Sequence, residues 1–503
     1  MSLKKLWNAP FILMLIFLIT LAARLYFSFS TQYLDINAYF AVRQVEHIRE
    51  TGFFLTYDPL SYGGRLQSFS HLFYYLLAFF RLFLPDFFVY KVLINIFASS
   101  LIFVTYFLSM EITQKKKEAS FFASFVSGFI PIFFSKTFNN VSFYSLIIPL
   151  TFLLIYFFVK VEHSYKYVPY FLVTIALLRL SHPSAFLLTI VLVVYLIFIK
   201  VENVKVNRAE VELTLFSLFV IMWSLFITFK KAFLIHGQQV IWLNIPDQIL
   251  SSYFKELSFF EIFSGIGIMP FIFGVYIIYK NIYVEKNKIV FLLSSFAITV
   301  FLLLLLKLIE LETGLMFLGA ILSILISKFY SLFFSYLEKT RISRFKFIFI
   351  TGIILLFVVT SVIPSFYYAM SDLGNSLKKN ELESLVWIKE NTAKDSIVLS
   401  SVNEGHLINY FSERANVADS NFLLVKDANQ RAEDIKTVYT TGFETESVRL
   451  LNKYNINYVY FSDRIKKEFN IKAFESGKYE NCFKLVYDKQ VKIYESICNL
   501  EEK

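Results

Sequence analysis

The sequence predicts a polytopic α-helical membrane protein of the cell membrane, with about eleven spans, its N-terminus inside, and a C-terminal extracytoplasmic α/β domain. Three observations predict it. Apolar runs of about 18 or more residues recur along the first three quarters of the chain. The 503 residues are 56% hydrophobic and 17% charged, whereas soluble globular chains hold about 45–50% apolar and about 25% charged residues. After residue 368 the charge rises and strand-like runs begin. This composition excludes a disordered chain, collagen, a coiled coil and a small disulfide scaffold.

The first apolar run, 10–29, follows Lys4 and Lys5. It lacks a clear small-x-small cleavage site and reads as a retained span. Further spans are expected near 88–110, 119–135, 143–160, 168–181, 184–200, 211–229, 262–279, 289–306, 314–330 and 347–368. The clusters Lys115-Lys116-Lys117, Lys160 with Lys166, 200–208, 280–288 and 328–346 fall in alternate loops, which places them on the cytoplasmic side. A net charge of +10 would suggest nucleic acid in a soluble chain. Here it reads as a topology signal, and the expected surroundings are the lipid bilayer, not nucleic acid. The stretch 68–84 is apolar but short, and counting it as a span would reverse the side of the triple lysine. It is expected to be a re-entrant or interfacial helix inside a large first outer loop, 30–87. The expected domains are 1–368 in the membrane and 369–503 outside it.

In the tail, helices are expected at 379–392, 405–414 and 444–454, and strands at 396–400 and 457–462. The runs 483–487 and 491–494 flank Asp488-Lys-Gln and read as a hairpin. Alternating helices and strands argue for a small α/β domain. The two cysteines, Cys482 and Cys498, flank the hairpin. In an oxidising compartment they could pair across it; the alternative is two free thiols. Zinc-type spacing, a Gly-rich phosphate loop and a Gly-x-Ser-x-Gly elbow are all missing from the sequence.

The most informative stretch is the first outer loop, Tyr33-Leu-Asp35-Ile-Asn-Ala-Tyr39-Phe-Ala-Val-Arg43-Gln-Val-Glu46-His47-Ile-Arg49-Glu-Thr-Gly52. Tyr39, Val42, Val45 and Ile48 recur at helical spacing, and Gly52 can end the helix. Asp35 sits where an N-cap is expected. One carboxylate can cap a helix and still present an oxygen outward, so capping and chemistry are both open to it.

An acidic residue just after the first span, then an aromatic, Arg-Gln, Gly and Phe-Leu-Thr-Tyr-Asp58-Pro59-Leu-Ser-Tyr-Gly-Gly resembles the first outer loop of GT-C class membrane glycosyltransferases. The resemblance is closest to the oligosaccharyltransferase catalytic subunit. Trp387-Ile-Lys-Glu-Asn-Thr, Ser396-Ile-Val-Leu-Ser400, Gly405-His406-Leu-Ile-Asn-Tyr-Phe-Ser-Glu413-Arg414-Ala-Asn-Val-Ala-Asp419 and Leu451-Asn-Lys-Tyr-Asn-Ile-Asn-Tyr-Val-Tyr are similar to that family's outer domain. The resemblance implies transfer of a sugar from a polyprenyl-phosphate-linked donor to a glycan, lipid or protein acceptor outside the membrane. It assigns Asp35 as the catalytic base.

Two departures bear on this. The family's Trp-Trp-Asp-Tyr-Gly acceptor motif is matched by Ser401-Val-Asn-Glu404-Gly405, in which only the glycine agrees. The second outer loop, Lys136-Thr-Phe-Asn139-Asn140-Val-Ser142, has no carboxylate. Hard divalent cations favour several oxygen ligands, usually including carboxylates. The divalent metal the resemblance implies, Mg or Mn, is therefore disfavoured. Asp247, Glu256 and Glu261 in 230–261 stand in no convincing motif. A metal-free route needs one acidic base and positive charge near the departing phosphate.

The substrate-binding candidates are Tyr39, Arg43, Asp58, His71, Lys136, Asn140, His182, Glu404 and His406. Arg43, Lys136 and Lys230/Lys231 are candidate phosphate clamps, with snorkelling to lipid headgroups as the alternative. Asp58-Pro59 also reads as a turn. His182-Pro183 reads as a turn between two spans, and Glu404 as a cap or an acceptor contact. The competing functions are a divergent oligosaccharyltransferase, a non-catalytic GT-C protein that binds lipid-linked glycans, and a transporter. Against transport, the sequence shows no paired broken helices and few ionisable residues in mid-span.

Overall fold

The computed structural model describes residues 9–237, 258–478 and 481–499. The chain divides into two compact units. The first comprises Met1–Gln32, Ser70–Ile227 and Tyr253–Gly374; the second brings Tyr33–Phe69 together with the end of a long helix from Thr228 and the chain from Asn375 onward.

In the first unit all eleven expected spans are helical. Eight helices among the described residues are long and apolar enough to cross a membrane, beginning with α1, Ala9–Phe29. The bent pair Lys117–Gly128 and Pro131–Thr137 adds a ninth, broken by 48°. The break falls where Pro131 opens the second piece, because proline cannot donate a backbone hydrogen bond and disfavours helix in the residue before it. The remaining two, Val168–Ser181 and Ala185–Val201, are shorter, at 14 and 17 residues. Leu72–Arg81 is a ten-residue helix, about half the length a span needs.

The unit's core is aliphatic and aromatic, with polar locks inside it. Arg24, 1% exposed, donates through Nε to Asn95 Oδ1 at 2.9 Å and through Nη2 to the Thr137 hydroxyl. Its guanidinium also lies 5.0 Å from the centre of the Phe134 ring. Three helices are thereby joined by one charge that water does not reach, and such a charge requires partners. This lock was not anticipated from the sequence.

The second unit holds a small hairpin, β1 (Tyr57–Asp58) with β2 (Arg65–Leu66), and a five-stranded sheet. The sheet strands are β3 (Ile397–Leu399), β4 (Ala415–Asn416), β5 (Ile456–Phe461), β6 (Phe483–Asp488) and β7 (Lys492–Ser496), in the order β4-β3-β5-β7-β6. β3 runs parallel to β4 and β5, and the β6–β7 hairpin adds antiparallel to β5. Cys482 and Cys498 form a disulfide across the hairpin.

Helices Lys379–Asn391 and Glu444–Lys453 lie where expected. Ala428–Thr440, with its polar sequence, was not expected. The helix expected at 405–414 is one α-turn, Gly405–Leu407, followed by a π-helical turn, Ile408–Ser412. Gly405 is required by close approach, since a Cβ there would lie 2.2 Å from the Ala418 carbonyl oxygen.

Candidate active site

Asp35 is half-buried at the entry to α2, Ala38–Thr51. It is not the N-cap. Asn37 holds that position without a side-chain bond, and Asp35 Oδ1 instead accepts the Asn37 amide at 2.9 Å, an Asx turn that delivers the chain into the helix. The helix ends as expected at Gly52, which has φ of 78° and donates to the Ile48 carbonyl. Asp35 also pairs with Ser376 in an antiparallel bridge. The flanking bonds run from Ile36 N–H to Asn375 O (3.3 Å) and from Leu377 N–H to Leu34 O (3.0 Å). The backbone of Asp35 is thus held from both sides of the sequence.

Arg43 and Asp58 form a two-bonded ion pair, both bonds 2.7 Å long. Asp58 is 1% exposed and also accepts from Gln67 Nε2 and, as a turn former does, from the Leu60 amide. The clamp expected at Arg43 is therefore committed to holding the loop together. Asp58 serves both as a turn former and as this ion-pair partner.

A second buried cluster joins the loop to the sheet. Asp419, fully buried, accepts from Ser61 Oγ (2.6 Å) and Asn416 Nδ2 (3.2 Å), with Arg65 Nη2 at 3.4 Å. The Tyr62 hydroxyl donates to the Asp419 carbonyl at 2.6 Å, and Asn416 N–H donates to Leu60 O. Burial alone would raise the Asp419 carboxyl; His406, Arg65 and Ser61 outweigh it and hold the group below its ordinary value. His406 lies between the two clusters, its Nδ1 3.8 Å from Asp419 and its ring 5.0 Å from that of Phe40. Burial pushes its pKa down against the pull of Asp419.

Tyr39 is buried against Tyr410 and Phe411, with ring centres 5.5 and 4.8 Å away. Glu404 is not at a surface. It is fully buried, and accepts from Ser462 Oγ at 2.7 Å and Ser401 Oγ at 3.3 Å. It makes no cap bond to the Gly405 turn. Burial pushes its pKa up to about 8 against the Ser462 bond, so the side chain is a neutral acid near pH 7.

Lys136, Asn140, His182 and His71 belong to the first unit, and Lys230 and Lys231 to the second. Lys136 is taken up by Glu312 at 2.9 Å and Asp372 at 3.4 Å. Asn140 is half-buried in the bend that follows Pro131–Thr137. His182 stacks on Phe143 at 4.0 Å and accepts the Ser184 amide at Nδ1, which is the turn geometry expected of it. His71 precedes the helix Leu72–Arg81. Lys230 and Lys231 are exposed on the helix Arg208–His236. Asp247 and Glu256 lie outside the described residues, and Glu261 forms a capping box with Ser258.

Among the described residues, no three His, Cys, Asp or Glu side chains lie together so as to hold a metal ion. The residues missed from the sequence, chiefly Arg65, Asp419 and Asn416, are joined across sequence separations of about 350 residues.

No family model and no curated protein matches the sequence. Solved structures do match the fold. The Archaeoglobus fulgidus oligosaccharyltransferase tethered to an acceptor peptide with an NVT sequon superposes with a TM-score of 0.71 at 15% identity, over 91% of this chain and 69% of that one. The archaeal oligosaccharyltransferase AglB of the same organism, bound to an inhibitory peptide and a dolichol-phosphate, gives 0.66 at 15% identity over 91% and 70%. ArnT from Cupriavidus metallidurans bound to undecaprenyl phosphate gives 0.59 at 10% identity over 96% and 98%. At such identities the likeness is one of fold. The chain has the oligosaccharyltransferase-like GT-C fold of a multi-pass membrane protein with a C-terminal sheet domain.

Proposed function

We propose that the protein is a membrane glycosyltransferase that moves a sugar from a polyprenyl-phosphate carrier to a hydroxyl acceptor on the outer side of the membrane. The observation that carries this reading is Asp35: a half-buried carboxylate on a doubly anchored backbone, in a chain whose fold matches proteins solved with dolichol-phosphate and undecaprenyl phosphate. The alternation of basic loops supports an outward-facing tail, and the Cys482–Cys498 bond suits an oxidising compartment.

In the proposed step the acceptor oxygen attacks the anomeric carbon while its proton passes to the Asp35 carboxylate. The anomeric C–O bond to phosphate breaks, and its electron pair leaves with the polyprenyl phosphate. Attack opposite the leaving group inverts the anomeric centre. Lys230, Lys231 and backbone donors remain the candidates to steady the phosphate, since Arg43 and Lys136 are engaged by carboxylates.

The oligosaccharyltransferase reading is the runner-up, and the burial of Glu404 in the stretch that replaces the sequon-reading motif weighs against it. The test is the purified protein in detergent with radiolabelled lipid-linked sugars. Label transfer that persists in EDTA supports a metal-free transferase. Binding of the lipid without turnover would favour a non-catalytic glycan-binding protein.

A further inference from the structure

A groove of about 430 Å³ opens in the second unit between α2 and the π-helical turn Ile408–Ser412. Arg43, Glu46, His47 and Glu50 line it from one face of α2, and Tyr410 and Glu413 line it from the other side. Its volume falls within the ordinary range for small-molecule sites, about 300–1,000 Å³. The walls are fixed from beneath: Arg43 is held by Asp58, and Tyr410 packs against Tyr39 and Phe411. Glu413 occupies the left-handed region at φ 51°, a conformation that costs a non-glycine residue energy.

The charges of this groove nearly cancel in place. Arg49 Nη2 lies 2.9 Å from Glu46 and 3.7 Å from Glu50, Lys389 lies 2.5 Å from Glu413, and Arg43 is balanced by Asp58. A paired carboxylate still has lone pairs for further donors, because each oxygen accepts more than one hydrogen bond. The groove therefore combines dense hydrogen-bonding groups, one aromatic wall and little net charge. A cationic peptide would have to compete with Arg49 and Lys389, and an anion would meet three carboxylates. A neutral polyhydroxylated ligand meets neither penalty.

We infer that this groove is a binding subsite for a neutral carbohydrate, whose hydroxyls bond to the Glu46, His47 and Glu50 side chains while one sugar face covers Tyr410. The inference rests on the glycosyl-transfer reading only for its purpose, as a place for acceptor glycan; binding is measured without turnover.

The test is saturation-transfer NMR on the full chain in detergent, with maltotriose, mannotriose and chitotriose as neutral probes and hexalysine as the charged control. At least one trisaccharide is expected to bind, to persist at about 0.5 M salt, and to weaken roughly tenfold in His47→Ala/Glu50→Ala, the equivalent of about 1.4 kcal/mol. A circular dichroism melt matching the parent verifies that the double variant is folded, and Glu50→Gln provides a second, milder variant. Binding is read without turnover, so failure of the catalytic reading leaves this measurement intact. The inference is overturned if no trisaccharide binds, if binding is unchanged in both groove variants, or if hexalysine alone binds and salt removes it.

Discussion

Asp35 faces Ser376 across an antiparallel bridge, and the Ser376 carbonyl in turn accepts from Arg464 Nη2 at 2.8 Å. Arg464 is itself held by Glu381, through Nε at 2.9 Å and Nη2 at 3.2 Å. A residue near the end of β5 thus fixes the backbone opposite the proposed base. Arg464→Gln is expected to quicken amide exchange at Ile36 and Leu377 in hydrogen–deuterium exchange. It also leaves Glu381, 4% exposed, without its cation, and losing one partner of a buried pair costs about 3–5 kcal/mol.

The Arg43–Asp58 pair makes a parallel case in the first loop. Arg43→Ala is expected to destabilise by about 3–5 kcal/mol, because Asp58 is left buried without its cation. Arg43→Lys should cost less but not restore the parent, since an ammonium cannot reproduce both bonds of the guanidinium fork. Thermal unfolding in detergent measures the order Arg43, Lys, Ala.

Glu404 carries a pH signature. Its folded pKa of about 8 lies above the ordinary carboxylate value. The protonated acid is favoured by folding, so its contribution is complete below about pH 4.5 and is lost as pH rises through about 8. Glu404→Gln keeps an oxygen for Ser462 and cannot ionise. Its unfolding temperature relative to the parent should climb between pH 5 and pH 9, and a constant difference would contradict the assignment.

The disulfide closes a loop with a sequence separation of 16 residues, for which loop entropy gives about 3 kcal/mol. Cys482→Ser/Cys498→Ser should lower the stability of the tail by about that amount. Protease nicking within 482–498 under native conditions reports it.

Much of the fold was legible because long apolar runs and basic loops announce themselves without tertiary knowledge. The strand pair β6–β7 was legible for the same reason, since alternation and a short turn are local. The two-residue strand β4 carries no period to read, and the helix Ala428–Thr440 buries a stripe of Ala428, Ala432, Ile435, Val438 and Tyr439 that its small alanines and many polar neighbours dilute in the sequence. Within the site, Asp35 stood out by position, yet its Asx turn differs from a cap by two residues, a distinction that depends on backbone angles. The Arg43–Asp58 pair is set by how a loop folds back over 15 residues. The Asp419 cluster joins residues that only the assembled unit brings together. Arg24 could have been noticed as an arginine inside an apolar run, but its partners Asn95 and Thr137 lie on other helices.

The measurement that bears most directly on the account is sugar transfer by Asp35→Asn, with radiolabelled polyprenyl-phosphate sugars as donor and the parent protein alongside. Asparagine preserves the acceptor for the Asn37 amide, and with it the Asx turn, while removing the proton acceptor. Loss of about 10²- to 10⁴-fold in turnover, with lipid binding retained, is the predicted result. Turnover equal to that of the parent would contradict it.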